Sequence, residues 1–146
     1  MQQHKADFIL IGGHAALLYG SERTTGDMNL LVKPTAENGQ KIIQAFLTLG
    51  LEIDDLGASD FETNLVLTFG FEPDGVDIIN RIKLTDFETV AKKAMLIEIE
   101  KELKIFVIDA RDLLAEKRLI KREGRKGLSD QIDILGIEKY LEINRR

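Results

Sequence analysis

The 146-residue chain has a net charge of −5, with 44% hydrophobic and 31% charged residues and no cysteine. This balance is typical of a folded domain and excludes a disordered chain, so we predict a single domain over residues 1–146. Without cysteine there are no disulfides or thiolate metal sites, and the acidic balance disfavours an extended nucleic-acid surface.

The first predicted elements are a strand and a helix separated by two glycines. The apolar run Asp7–Ile11 predicts a buried strand, and Gly13–Tyr19 predicts a short helix that Gly20 ends. A second strand is predicted over Asp27–Val32, with Pro34 closing it. Because no apolar run reaches the ~20 residues that span a bilayer, we expect no membrane partner. The absence of cysteine suits a reducing compartment, so we expect a cytoplasmic protein.

The middle of the chain predicts one long helix followed by β structure. Apolar residues recur at helical spacing over Thr35–Leu49, with Thr35 as N-cap and Asn38 three residues later. Three β-like stretches follow, at Leu51–Asp54, Thr63–Phe69 and Val76–Asn80.

The C-terminal part predicts a hairpin between helices. Thr85 is predicted to cap a short helix that has Glu88 at its third position and ends near Ala94. The hairpin joins Met95–Ile99 to Leu103–Ile108. Two helices follow, from Asp109 or Ala110 to about Glu123 and from Ser129 toward Leu141. Because strands and helices do not alternate strictly, we predict an α/β (α+β) fold, a mixed β-sheet flanked by helices with a helical C-terminal end.

Two segments near the N-terminus have the residue types of a phosphate and metal site. Gly12 and Gly13 lie at a strand-to-helix turn, where backbone N–H groups can approach a phosphate closely. Asp27 and Asn29 stand two apart at a strand start, so their side chains share one face and offer oxygens to Mg²⁺. Each segment can also be read as an ordinary turn.

Two further segments carry charge. Asp77 interrupts an apolar strand, where a carboxylate is costly to bury unless it is paired or binds a metal; the alternative is an edge strand facing water. The spacing of four cations predicts that they share one helix face, and we call them the basic patch: Arg118, Lys121, Arg122 and Arg125. This patch either is a solvated helix face or reaches a triphosphate or a nucleic-acid end.

Taken in order, these segments resemble the minimal nucleotidyltransferases of the DNA polymerase β superfamily. The similarity is greatest to bacterial stand-alone domains related to the AbiEii-type toxin nucleotidyltransferases. It covers nearly the whole chain and rests on Phe8–Ala15, Gly20, Arg23, Thr25–Leu30, Val76–Ile79, Asp112–Leu114, Lys117, Gly124, Arg125, Asp130 and Asp133.

The resemblance implies a nucleotidyltransferase-like fold and the Mg²⁺-dependent transfer of a nucleoside monophosphate from a nucleoside triphosphate to a hydroxyl. It implies catalytic roles for Asp27 and Asp77, and metal binding by Asp27, Asn29 and Asp77. It also implies a set of residues that contact the nucleotide, comprising Gly12, Gly13, Arg23, Thr25 and Lys117.

One position departs from the family pattern, because Asn29 stands where the resemblance predicts a second aspartate. We therefore expect either a weakened enzyme acting on a tRNA end, a protein side chain or a small molecule, or a catalytically inactive module. Such a module would bind a nucleotide or a partner protein, for example an antitoxin in a toxin–antitoxin pair. A third alternative is an unrelated mixed α/β domain.

Overall fold

The computed structural model describes residues 7–22, 26–50, 55–70, 75–120 and 122–144. Within these ranges the chain forms six strands and five α-helices, together with a 3₁₀ helix at Ala58–Glu62. In chain order the elements are β1 (Phe8–Ile11), α1 (Gly12–Leu18), β2 (Met28–Val32), α2 (Ala36–Thr48), β3 (Val66–Phe69), β4 (Val76–Ile79), α3 (Phe87–Lys93), β5 (Met95–Glu100), β6 (Leu103–Val107), α4 (Ala110–Leu119) and α5 (Gly124–Ile143).

The strands form one mixed sheet in the order β3-β4-β2-β1-β6-β5. The pair β1/β2 is antiparallel, whereas β2/β4 and β1/β6 are parallel; the outer pairs β3/β4 and β5/β6 are antiparallel. The predicted mixed sheet with outer helices is therefore confirmed. Because β2 and β4 run antiparallel to β1, the carboxyl end of β1 and the starts of β2 and β4 lie at the same end of the sheet's strands.

Apolar side chains fill both faces of the sheet. Val32 and Ile78 pack with α2 and with Phe61 of the 3₁₀ helix. A larger cluster joins β1, β6, α1, α4 and α5, with Ile137 of α5 fully buried within it. None of the helices in the described ranges has the length and apolar character that a membrane crossing requires.

Several predicted elements are confirmed by the described residues. Thr35 caps α2, its side chain accepting a hydrogen bond from the Asn38 amide at 3.1 Å. The β5–β6 hairpin forms with its turn at Lys101 and Glu102. The predicted strand at Leu51–Asp54 lies outside the described residues.

Other boundaries differ from the prediction. Asp86, not Thr85, caps α3, because its carboxylate accepts from the Thr89 amide at 2.9 Å. The β3 strand begins three residues late, since the Asn80 side chain bonds the backbone of Thr63 and Leu65 in place of a strand neighbour.

The C-terminal helices also divide differently from the prediction. The α4 helix ends at Leu119 and α5 begins at Gly124, whereas the prediction continued the first helix to about Glu123 and began the second at Ser129. Arg118 therefore lies on α4, Arg122 on the connection and Arg125 on α5, and these three do not share one helix face; Lys121 lies outside the described residues.

Candidate functional site

Three segments meet at the end of the sheet where β1 ends and β2 and β4 begin, and we call this place the oxygen corner. It comprises Gly12, Asp27, Asn29, Gly75 and Asp77. Asn29 and Asp77 are direct partners across the parallel pair β2/β4. Partners in register present their side chains on the same face of a sheet, so the amide and the carboxylate are neighbours.

The oxygen corner lies on the face of the sheet opposite to α2. Successive side chains of a strand alternate between faces, and Ile78, which packs with α2, adjoins Asp77. The first residue of α1 marks the same face, since a Cβ on Gly12 would fall 2.6 Å from Asn29 Nδ2. The end of β1 therefore contacts the start of β2 directly at this corner.

Two glycines leave room for the polar side chains. Gly12 has a φ of +70°, a conformation that L side chains rarely adopt, and any side chain there would also overlap Asn29. At Gly75 an added Cβ would lie 2.7–2.9 Å from the Asp27 carboxylate. The Asn29 amide therefore lies against the backbone at Gly12, and the Asp27 carboxylate lies against the backbone at Gly75.

Asp27 is held in place by the backbone of the neighbouring strand. Its Oδ1 accepts a hydrogen bond from the Gly75 amide at 2.9 Å, and the Met28 amide donates to the Gly75 carbonyl at 2.9 Å. This pair of contacts ties the start of β2 to the start of β4. One carboxylate oxygen of Asp27 is therefore committed to Gly75 and orients the other.

Asp77 has a buried oxygen that lacks a hydrogen-bond partner. Its Oδ1 is enclosed and accepts no hydrogen bond from the described residues. A buried polar atom without a partner costs about 1–3 kcal/mol, and more when charged. Such an atom in a native structure calls for a ligand or for an explanation.

His14 connects α1 to the segment before β2. Its Nε2 lies 3.0 Å from the Gly26 carbonyl, to which it donates a hydrogen bond in the tautomer protonated at Nε2. This contact holds the residue before Asp27 against the first turn of α1. His14 therefore acts as a structural donor in this tautomer.

The structure places four of the predicted site residues at the oxygen corner, namely Gly12, Asp27, Asn29 and Asp77. Gly13 is buried in the first turn of α1 beside them. Arg23 and Thr25 were also predicted to contact the nucleotide, and both lie outside the described residues.

Lys117 occupies a different environment, between α4 and α5. Its ammonium contacts Asp130 at 2.9 Å and Asp133 at 2.8 Å, and the lysine is 5% exposed. Asp133 also accepts a hydrogen bond from the Ser21 hydroxyl at 2.6 Å, and Arg122 binds Asp130 through two hydrogen bonds. We call these five residues the α4–α5 ion network; its two cations and two carboxylates cancel in formal charge.

The predicted basic patch is therefore less cationic than its sequence indicates. A cleft of about 470 Å³ opens between α4 and α5, and its walls include Lys117, Arg122 and Asp130. Arg118 at its rim pairs with Glu138 at 2.8 Å. These three cations have acidic partners, which leaves Arg125 and Lys126 as exposed basic residues nearby.

The ion network makes the free energy of unfolding depend on pH in the acidic range. Burial alone would raise the pKa of Asp130, but hydrogen bonds from Arg122 and Lys117 outweigh it and hold the pKa below its usual value. The same contact with Asp130 raises the pKa of Arg122.

We expect the unfolding free energy to fall as the pH drops below about 4, the usual value for an aspartate. A carboxyl group with a lowered folded-state pKa stabilises the fold above its unfolded-state pKa and loses that contribution toward its folded-state pKa. Urea unfolding between pH 7 and pH 3 should show a shallower decline for Asp130→Asn, by on the order of 1 kcal/mol. Parallel curves for the two proteins would contradict this account of Asp130.

Sequence reasoning missed the part played by Gly75. A glycine at the start of a strand signals close backbone approach, but the sequence does not say which side chain approaches. The Ser21–Asp133 contact was missed as well, since it joins residues 112 positions apart.

No protein-family model matches this chain, and no curated protein matches it either. A function for this chain is therefore inferred from the residues of the oxygen corner and from the resemblance that their order suggests.

Proposed function

We propose that the oxygen corner binds a nucleoside triphosphate with Mg²⁺ and that the chain transfers its nucleoside monophosphate to a hydroxyl acceptor, with activity reduced by Asn29. The observation that carries the proposal is the buried, unpartnered Oδ1 of Asp77 in register with Asn29. An oxygen that is costly to bury alone is stabilised when a cation binds it.

The donor set fits Mg²⁺ that arrives with its nucleotide. Mg²⁺ prefers oxygen ligands and is usually held by one or two carboxylates together with substrate phosphates. Asp27 and Asp77 supply two carboxylates, and Asn29 supplies an amide oxygen. Across the described ranges no group of three or more histidine, cysteine or acidic residues could hold a metal, so the phosphates would provide the remaining ligands.

The chain's own residues would divide the work at the corner. Gly12 and Gly13 let the backbone approach the phosphates, Asp27 orients the site through its bond to Gly75, and Asp77 accepts the proton of the attacking hydroxyl. A new P–O bond forms to the acceptor oxygen, the bond to the pyrophosphate oxygen breaks, and pyrophosphate leaves. Bound Mg²⁺ supplies neutralisation of the charge on the entering and leaving oxygens.

Asn29 limits this chemistry. Its amide can donate an oxygen to a cation, but it brings no negative charge to offset a second divalent ion. Its side-chain amide also lies beside Gly12, where the backbone would meet the phosphates. We therefore expect the chain to bind the nucleotide but to transfer its nucleoside monophosphate slowly.

Restoring the acidic residue with Asn29→Asp should raise transfer roughly tenfold or more, equivalent to at least about 1.4 kcal/mol in the barrier. The added carboxylate would stand beside Asp77, so the variant should also be less stable in EDTA and recover when Mg²⁺ is added. The measurement is pyrophosphate release and label transfer from each nucleoside triphosphate labelled at the α-phosphate, with bulk tRNA as acceptor.

Met28→Asp is the matched control, because it adds the same charge one residue away on the other face of β2. It should leave transfer unchanged. No gain from Asn29→Asp with any nucleotide, or an equal gain from Met28→Asp, would contradict the proposed role of position 29.

A second candidate function is a nucleotide-binding or partner-binding module without catalysis, which Asn29 favours. Such a module would bind the Mg²⁺–nucleotide complex and release no pyrophosphate. An active form would take a tRNA end, a protein side chain or a small molecule as acceptor, and the inactive module would bind a partner such as an antitoxin.

A further inference from the structure

The β5–β6 hairpin exposes several large apolar side chains to solvent. Leu96 is 56% exposed and Phe106 is 50% exposed, and the two are direct cross-strand partners. Other large apolar side chains of the hairpin are exposed as well, namely Met95, Ile99 and Leu103. Clustered exposed apolar residues mark interaction surfaces, whereas scattered ones do not.

The outer side of β5 is an edge of the sheet. In the described sheet β5 is the last strand, so its backbone groups on that side have no strand beside them. Natural edge strands are usually shortened, bulged or charged to prevent pairing with another chain. Within β5 the only features of this kind are the charges of Glu98 and Glu100 and the register shift between them, all in the second half of the strand. The first half, Met95–Ile97, is entirely apolar.

The charges along this edge are self-complementary. Lys92 and Lys93 end α3 immediately before the strand, with Lys93 paired to Asp112 of the same copy. Glu98 and Glu100 occupy the far end of β5, with Lys104 of β6 opposite Glu98. Two copies placed antiparallel would bring the lysine end of each beside the glutamate end of the other. A parallel arrangement would place like charges together, which is unfavourable.

We propose that a second copy of this chain docks on β5 through antiparallel β5–β5 pairing, which extends the sheet across a two-fold axis. The pairing is isologous, so the same residues serve both copies. It would satisfy the outer backbone groups of both strands. It would also place the Leu96–Phe106 pair of one copy beside the same pair of the other and remove that surface from water.

The oxygen corner lies away from this interface. It is built from β1, β2 and β4, and β6 separates β1 from β5 in the strand order. Each copy therefore keeps its own corner accessible. Self-association consequently stands or falls independently of the proposed nucleotidyltransferase function.

Sedimentation equilibrium over a range of protein concentrations tests this proposal. The unmodified chain should show a concentration-dependent monomer–dimer equilibrium. Leu96→Lys should weaken dimerisation by about a hundredfold or more, which corresponds to about 2.7 kcal/mol. The matched control Leu128→Lys, at a leucine of α5 that is 68% exposed, should dimerise like the unmodified chain.

Charge reversal tests the antiparallel direction separately. Lys92→Glu and Glu100→Lys should each weaken dimerisation by roughly tenfold, and the two together should restore it. These exposed positions also keep the test valid if Leu96→Lys fails to fold.

The proposal would be overturned by a monomer at all concentrations, which would leave the edge to a strand from a different protein. It would equally be overturned if Leu128→Lys dissociated the dimer as strongly as Leu96→Lys, or if the double reversal failed to restore association.

Discussion

Replacing Lys117 by methionine should lower the free energy of unfolding by about 3–5 kcal/mol, the usual cost of removing one partner of a buried ion pair. Lys117 is 5% exposed, and its ammonium contacts both Asp130 and Asp133. Methionine keeps much of the volume and removes the charge, so two buried carboxylates would lose their shared cation. Urea unfolding at pH 7 measures the change.

Arg118 provides the matched control on the same helix. It pairs with Glu138, but the two side chains are 55% and 44% exposed. Exposed ion pairs contribute about 0–1 kcal/mol, so Arg118→Met should be nearly neutral. Asp133→Asn added to Lys117→Met should recover part of the loss, because it removes the charge of the carboxylate that Arg122 does not contact. Equal effects of Lys117→Met and Arg118→Met would contradict the structural role of the lysine.

This result bears on the predicted contact between Lys117 and the nucleotide phosphates. Two of the three N–H donors of the ammonium are engaged by carboxylates. A structural role predicts that Lys117→Met lowers stability and nucleotide affinity only through the fold. A direct role predicts a further loss of affinity in the fraction that remains folded.

Asp77→Asn should abolish the stabilisation that Mg²⁺ and a nucleoside triphosphate confer, without destabilising the free protein. A ligand at about one hundred times its dissociation constant adds about 2.7 kcal/mol to the unfolding free energy. That increment should vanish in the variant. The free protein should keep or gain stability, because the variant removes a carboxylate with a buried, unpartnered oxygen.

Asp112→Asn is the matched control for this change. Asp112 also has a buried oxygen without a partner, but it lies on α4 and pairs with Lys93 at 3.0 Å. Its replacement should leave the Mg²⁺-dependent nucleotide effect intact. Thermal unfolding with Mg²⁺ and with EDTA measures both variants. A nucleotide effect that survives Asp77→Asn would remove Asp77 from the proposed site.

The elements predicted best were those with strong local signals. The Thr35 cap and the apolar spacing of α2 are both encoded within one short segment, as is the β5–β6 hairpin. The meeting of Gly12, Asp27 and Asp77 was predictable only through the order of motifs, since no local rule places β2 beside β4. The resemblance supplied that arrangement as an expectation.

The C-terminal helices show what local sequence does not encode. The resemblance implied that Lys117 faces the nucleotide phosphates, and no local signal pointed to its contacts with Asp130 and Asp133 on another helix. The residues between Leu119 and Gly124 looked helical by composition, yet the chain must reverse there for α5 to bring those carboxylates to Lys117. Tertiary ion pairing thus overrides a local helical pattern.

Paramagnetic broadening by Mn²⁺ with a nucleoside triphosphate tests the central claim most directly, because it reports where the metal lies in a 16.4 kDa chain suited to NMR. The backbone amide signals of Gly12, Asn29 and Asp77 should broaden first, while those of the β5–β6 hairpin stay sharp. Excess Mg²⁺ should reverse the effect. Broadening centred on the α4–α5 ion network, or none at the oxygen corner, would contradict the proposed metal–nucleotide site.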